Sequence, residues 1–345
     1  MNFGLIGYGA WGKHHPPAIQ KAPGAKLVAI VVRSEETAKQ ARLDYPDAAI
    51  YADYRELLKD PTIDTVDIVV PNYLHAEIGI AALDAGKNVL LEKPMAVTRE
   101  ECDRLIAARD CNKRLLSIAH DYRTSKQYVL IKELIDRGDL GEPRYININL
   151  FRNRFRDGSG GWRFKAETVG SWILEEPVHF FDLVLWYLEC YGDPRSVLAF
   201  GNGNDREPGL FENFSCIVRY PGDSYAVITQ TLGGFQHHTQ VQVIGREGAA
   251  RTYWSGRMDR TENPTIGFQV RKKGFPFVRG VQECETMELS ADSEGSKLQN
   301  QINRVVSAFA EGLTPTPGEE ARKRVIICNE AVRSIREGRE IDLRF

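Results

Sequence analysis
The sequence predicts an α/β protein in two parts: a doubly wound parallel sheet over residues 1–122, then a second α/β domain over residues 123–345. Three observations carry this. A short apolar strand runs straight into Gly7-Tyr8-Gly9-Ala10-Trp11-Gly12. That stretch matches G-x-G-x-x-G, the loop whose backbone amides and helix amino terminus meet a pyrophosphate. Strand and helix patterns then alternate as far as Ala119, and such alternation builds a parallel sheet. From Arg195 onward the apolar period turns to two, with tight turns between the runs, as in antiparallel hairpins. At 345 residues the chain exceeds the roughly 100–200 residues of one ordinary domain.

Asn2 to Ile6 form the first strand, and the glycine loop opens a helical segment that ends near Ala22. Pro16 and Pro17 fall in its first turns and are expected to distort them. Lys26 to Val32, apolar and β-branched, read as the second strand. An acidic residue for the adenosine ribose normally sits at this strand's end, about 20 residues past the last glycine. Here the end reads Val32-Arg33-Ser34. A guanidinium and a hydroxyl in place of a carboxylate favour NADP over NAD, since Arg33 can pair with a 2′-phosphate. Ser34 is equally suited to N-cap a helix starting at Glu35.

Val66 to Val70 read as another buried strand, followed by Pro71-Asn72-Tyr73-Leu74-His75. Ligands of an open parallel sheet sit beyond the carboxyl ends of its strands, which places Asn72 close to the expected nicotinamide. His75 opens the helix Ala76 to Ala85, as a cofactor contact or as a hydrogen bonder at the helix entry. Gly86 ends that helix as its C′ residue. In Asn88-Val-Leu-Leu-Glu-Lys-Pro-Met95, Val89 to Leu91 form a short strand, with Glu92, Lys93 and Pro94 at its carboxyl end. An exposed strand-end ion pair is one reading of Glu92 and Lys93, and a ligand-facing carboxylate and amine the other. Pro94 stops the strand, and its bond with Lys93 has the option of being cis. Thr98 caps a helix to about Asp110, and Leu115 to Ala119 form one more strand.

Beyond this sheet, Tyr122 and Arg123 fall at the domain junction and are candidates to line a cleft. Arg152 to Arg156 and Gly160-Gly161-Trp162-Arg163 are basic and aromatic. An indole suits the apolar face of a sugar ring, and arginines suit hydroxyls or an anionic substituent. The alternative is a solvated loop. Glu175 and His179 stand four apart, hence on one predicted helical face, with Asp182 three further on. A carboxylate in reach orients an imidazole and raises its basicity, which suits a general base. The plainer reading buries His179 in an amphipathic helix, Val178 to Leu188, beside Phe180, Leu183 and Trp186. Glu212 to Tyr220, Ser224 to Leu232 and Thr239 to Ile244 read as strands, and Glu294 to Glu311 and Glu319 to Glu337 as amphipathic helices around Pro315 and Pro317. These last helices are free to pack back on the first domain. A sheet with helices on one face leaves the other for subunit pairing, so a homodimer or homotetramer is expected.

The glycine loop, the Asn72-to-His75 segment and Glu92-Lys93-Pro94 together resemble the Gfo/Idh/MocA family of oxidoreductases. The family's second marker reads roughly G-G-G-x-x-x-D-x-x-x-H, and Gly170, Glu175 and His179 fall on it, with Glu175 in place of the aspartate. The resemblance spans nearly the whole chain. It implies a Rossmann domain joined to an α/β domain with a large, open, mostly antiparallel sheet, and NAD(P)-dependent redox chemistry on sugars, sugar derivatives or cyclitols. Its implied catalytic set is Lys93, His179 and Glu175. Glu92 would hold the nicotinamide ribose, with Pro71, Asn72 and His75 beside the cofactor. Glu176, with Tyr122, Arg123, Arg152, Trp162 and Arg163, would line the substrate site. Two other readings stand beside dehydrogenation: a redox-neutral cleavage of glycosides on a tightly held nucleotide, and a nucleotide-binding sensor without catalysis.

Composition bounds the partners. The formal net charge is −2, which gives no reason to expect nucleic acid or an anionic membrane surface. No apolar run approaches the roughly 20 residues that span a bilayer, and the amino terminus enters a strand at once, so no signal peptide is expected. Six scattered cysteines without a C-x-x-C pair fit reduced thiols in the cytoplasm better than a disulfide framework or a zinc site. His14-His15 and His237-His238 are adjacent pairs that face apart, so no metal is expected.

Overall fold
The computed structural model describes the chain except for residues 157, 204–206, 208, 260, 262, 275–276, 279–280, 283 and 291–292. The first sheet has six strands: β1 (Asn2–Ile6), β2 (Lys26–Val31), β3 (Ala49–Tyr51), β4 (Thr65–Ile68), β5 (Asn88–Glu92) and β6 (Leu116–Ala119). All its pairings are parallel, in the order β3-β2-β1-β4-β5-β6. The order reverses between β1 and β4, and the crevice at that switch point is where such sheets bind ligands. Helices α1 (His15–Lys21), α2 (Glu35–Asp44), α3 (Tyr54–Leu58), α4 (His75–Asp84) and α5 (Arg99–Asn112) connect the strands. Leu5, Ile30, Ile68 and Leu91 are fully buried or nearly so, as expected of strands with helices on both faces.

The local chemistry explains where these elements start. Ser34 caps α2, its hydroxyl accepting from the Thr37 amide at 3.2 Å. Thr98 and Glu101 form a reciprocal capping box on α5. Pro16 and Pro17 cause no distortion within a helix, because a 3₁₀ turn over Gly12–His14 comes first and α1 begins at His15. Both prolines therefore occupy the first turn, where a missing N–H costs nothing. The strand expected at Val66 to Val70 is shorter, since Val69 still donates to Ile6 O at 2.8 Å but the backbone then turns into Pro71. The short β3 and α3 have no counterpart in the sequence reading.

The second sheet has nine strands. Helix α6 (Lys126–Asp136) precedes β7 (Pro143–Phe151); α7 (Ala166–Val169), α8 (Trp172–Glu175) and α9 (Val178–Tyr187) follow it. Then come β8 (Ser196–Asn202), β9 (Asn213–Arg219), β10 (Tyr225–Thr231), β11 (His237–Gly245), β12 (Ala249–Gly256) and β13 (Thr265–Arg271). Beyond a small hairpin of β14 (Phe277–Val278) and β15 (Val281–Gln282), β16 (Glu285–Met287) joins one edge. With β17 (Ile341–Asp342) at the other edge, the order is β16-β13-β12-β11-β7-β10-β9-β8-β17, and every pairing is antiparallel except β7 with β10. Strand β9 alternates exposed and buried residues along its whole length. Its Phe214 meets Phe181 of α9. Tyr145 and Tyr225 pair, ring centroids 5.0 Å apart, at half-buried and exposed positions.

Two long helices close the chain, α10 (Glu294–Ala310) and α11 (Gly318–Glu337), before the edge strand β17 (Ile341–Asp342). By contacts the chain divides into one unit of residues 1–121, 167–170 and 294–325, and a second of residues 122–166, 171–293 and 326–345. In the first, Leu298, Ile302, Val305, Val306 and Phe309 of α10 complete a core with Phe3, Ile19 and Ile30. Thr316 accepts from the Ile118 amide at 3.0 Å, and Arg109 of α5 donates to Glu319 of α11 at 2.8 Å. In the second, Ser334 accepts from the Ala199 amide at 2.8 Å, laying the end of α11 on β8.

Candidate active site
Each glycine of the Gly7-to-Gly12 loop has a separate reason. Gly7 has φ +107, and a Cβ there would lie 2.1 Å from Val69 O. A Cβ on Gly12 would lie 2.0 Å from Gly7 O. Both positions exclude a side chain because backbone passes too close. At Gly9 a Cβ would meet nothing within 4 Å. That open approach, with Ala10 also exposed, fits a dinucleotide pyrophosphate laid over the loop. Arg33 and Ser34 are exposed at the end of β2, with the Ser34 hydroxyl engaged by the Thr37 amide and hydroxyl as the cap of α2.

Around β4 and β5 the remaining candidates of the first unit are drawn together. Asn72 is buried and donates to Val169 O at 3.2 Å. His75 is wholly buried, with Nδ1 2.6 Å from Pro94 O and Nε2 2.8 Å from Val70 O. Its imidazole thus braces the turn after β4 against the turn after β5, which is the helix-entry role more than a direct cofactor contact. Pro71 is half-buried. The Lys93–Pro94 bond is cis, and Lys93 is half-buried. Glu92 is buried; its Oε1 accepts from the Trp11 indole at 3.1 Å and its Oε2 from the Lys93 amide at 3.2 Å. Burial pushes the Glu92 carboxyl up from its ordinary value, against the pull of His15, Trp11 and Lys93.

In the second unit, His179 sits in the first turn of α9, buried, and stacks on Tyr122 with ring centroids 4.4 Å apart. Tyr122 stacks in turn on Tyr128 at 5.0 Å. Glu175 and His179 do not share one helix. Glu175 ends α8, Glu176 leaves helical geometry at φ −120, and Pro177 is the N-cap of α9, its ring lacking the N–H that would continue the ladder. Glu175 accepts from Arg163 Nε at 2.7 Å. Arg163 lies over the Trp162 ring at 4.6 Å, so one face of that nearly buried indole is covered by a guanidinium. Arg152 is buried and pairs with Glu176 at 3.0 Å, with Arg156 and Asp259 paired beside it at 2.8 Å. Arg123 and Asp182 form a buried two-pronged pair, both contacts 2.8 Å. Arg152 is thus held inside an Arg–carboxylate cluster, while Arg154 and Arg156 keep 68% and 48% of their side chains exposed.

In the first unit, two buried polar residues escaped the sequence reading. His15 Nδ1 meets Asp67 Oδ2 at 2.6 Å, and His15 Nε2 faces Glu92 Oε1 at 3.6 Å. No spacing rule links positions 15, 67 and 92; an aspartate inside an otherwise apolar strand was the one visible signal. The six cysteines are free. Among the described residues no group of three or more His, Cys, Asp or Glu is arranged to hold a metal, and no helix is long and apolar enough to cross a membrane.

Comparison with known proteins follows the two sheets. Residues 1–120 match the GFO/IDH/MocA oxidoreductase family, NAD-binding Rossmann fold, and residues 128–251 its C-terminal domain. An inositol 2-dehydrogenase of Salmonella typhimurium is 33% identical over 286 residues, 80% of this chain and 78% of that protein. The scyllo-inositol 2-dehydrogenase (NADP(+)) IolW of Bacillus subtilis is 32% identical over 201 residues, 58% of this chain but only 54% of that protein. Among solved structures, the aldose-aldose oxidoreductase of Caulobacter crescentus superposes with a TM-score of 0.84 at 20% identity, covering 99% of both chains.

Proposed function
The chain belongs to the Gfo/Idh/MocA family of NAD(P)-dependent oxidoreductases, and from that premise we propose that it transfers hydride between a nicotinamide dinucleotide and a secondary hydroxyl of a neutral sugar or cyclitol ring. The observation that carries the reading is the presence in one chain of Lys93 at the carboxyl end of β5 and His179 at the start of α9. These are the two positions at which the family's motifs put an amine and an imidazole. The inositol dehydrogenases among the relatives support the polyol class. Neutrality of the substrate is supported by the arginines: Arg123, Arg152, Arg156 and Arg163 each have a carboxylate partner, so the set suits vicinal hydroxyls more than a free anion.

When bound, a nicotinamide would supply the hydride acceptor. The chain's own groups do the rest. His179 takes the hydroxyl proton, its ring plane fixed by the stack on Tyr122. The Lys93 ammonium donates to the same oxygen and stabilises the alkoxide as it develops. Glu92 accepts from the nicotinamide ribose, and Glu175, held by Arg163, orients His179 or accepts from a neighbouring hydroxyl. Arg33 and Ser34 make NADP the preferred dinucleotide, which the NADP(+) of the IolW name supports. The open face of the second sheet, where Ile217 and Tyr225 are exposed, pairs with a second copy.

Turnover on a panel of inositols and sugars tests this directly. Lys93→Ala and His179→Ala are each expected to lower kcat by about a hundredfold or more, with dinucleotide affinity unchanged. Full turnover in both variants refutes the assignment. For the cofactor, Arg33→Asp is expected to weaken NADPH by about tenfold while leaving NADH within twofold, read by fluorescence titration; equal effects on the two would return the preference to NAD.

A further inference from the structure
Behind the Glu92 carboxyl lies a polar line that no step above uses. His15 and Asp67 are 1% and 0% exposed. The Nδ1 of His15 donates to Asp67 Oδ2 at 2.6 Å. Its Nε2 makes no hydrogen bond and faces Glu92 Oε1 at 3.6 Å. Charged groups so far from water persist only when paired, and the setting bears this out. Burial works against the imidazolium, yet the Asp67 charge and hydrogen bond, with Glu92 and Asp121, override it and raise the His15 pKa. A site between a helix and a parallel sheet is ordinarily filled by aliphatic side chains, so a purely packing role does not explain these residue types.

The geometry does. A carboxylate that accepts from one ring nitrogen fixes both the tautomer and the orientation of an imidazole. Fixed on β4 by Asp67, the ring presents its other edge to β5. There the Glu92 oxygen nearest to it is the one that the Trp11 indole also holds. The remaining oxygen lies at the Lys93 amide.

We propose that His15 is a positioning residue for Glu92: anchored on Asp67, it holds one carboxyl oxygen against Trp11 and leaves the other presented to the nicotinamide ribose. The inference rests on the reading of Glu92 as the ribose ligand. Groups that face the imidazole come from four places: Asp67 on β4, Glu92 on β5, Asp121 after β6 and Trp11 in the glycine loop. None of them touches the adenosine end of the cofactor in this assignment, and the test exploits that.

NADPH and NADH are titrated against the full chain, with 2′,5′-ADP and AMP as probes of the adenosine half alone. His15→Asn is expected to weaken the full dinucleotide by about tenfold and the adenosine half by less than about twofold. In a Glu92→Gln background, the same substitution should cost nothing more, because its route runs through that carboxyl. Equal losses for full and half ligands, or additive losses in the cycle, overturn the proposal and leave His15 a packing residue. A Glu92→Gln variant that binds full dinucleotide as tightly as the parent overturns the ribose assignment itself, and the inference with it. Should His15→Asn not yield folded protein, Asp67→Asn, which keeps an acceptor for the Nδ1 hydrogen, supplies the same cycle.

Discussion
Arg123 and Asp182 are both buried, with two guanidinium nitrogens and two carboxylate oxygens in register. Removing one partner strands the other in a medium that cannot solvate it. Arg123→Ala is therefore expected to lose about 3–5 kcal/mol of unfolding free energy in urea titration. His15 and Glu92 make a second prediction, of pH dependence. Both hold their protons more tightly folded than unfolded. Stability then falls as pH rises, wherever the native state binds more protons than the unfolded chain. The Glu92 contribution is complete below the ordinary 4.5 of a glutamate and is lost as pH climbs through its raised value; the His15 contribution is complete below 6.5 and is lost in the same way. His15→Asn is expected to flatten the slope of unfolding free energy above pH 6.5, and an unchanged slope would show that another group titrates there. At this scale Glu92-Lys93-Pro94 stood out in the sequence because the three residues form a contiguous string. The partnership of His15 and Asp67 was not legible, since it exists only because β1 and β4 are neighbours.

Gly7 and Gly9 differ by two positions and should differ in kind. Gly7→Ala places a Cβ 2.1 Å from the Val69 carbonyl at a left-handed φ, so it is expected to unfold the loop and lower the melting temperature. Gly9→Ala meets no protein atom, so the melt should be unchanged while dinucleotide affinity drops by about tenfold or more. A Gly9→Ala variant that binds normally would show that the pyrophosphate lies elsewhere. The strands of the first sheet were readable because burial on both faces makes them continuous apolar runs. β3 and α3 were not, being three and five residues long, too short for a period to declare itself. The clean alternation of Ile146, Ile148 and Leu150 in β7 was present in the sequence without being assigned. The break between α8 and α9 shows the limit of spacing arguments: an interval of four places Glu175 and His179 on one face only if the helix is unbroken, and Pro177 lay between them.

The larger scale turns on surfaces and on chain connectivity. The exposed Ile217 and Tyr225 lie on a sheet face whose β7 and β10 flank each other in parallel, and the proposed self-association through that face has a direct check. Light scattering is expected to give a mass at least twice the 38.9 kDa of one chain, reduced toward one copy by Ile217→Arg with Tyr225→Glu. A single-chain mass for the parent would refute it. The antiparallel character of this sheet was legible from its period of two, whereas its nine-strand order was not, because order depends on pairings such as β8 with β17 that span more than a hundred residues. Helix α10 has a related consequence. Its Leu298, Ile302 and Phe309 fill the core beside Ile19, so the nucleotide-binding half cannot finish folding on the ribosome when its own six strands have emerged. It must wait, with an apolar groove open, until a segment made some 170 residues later arrives, and a fragment cut after residue 122 would keep that groove open and be prone to clump.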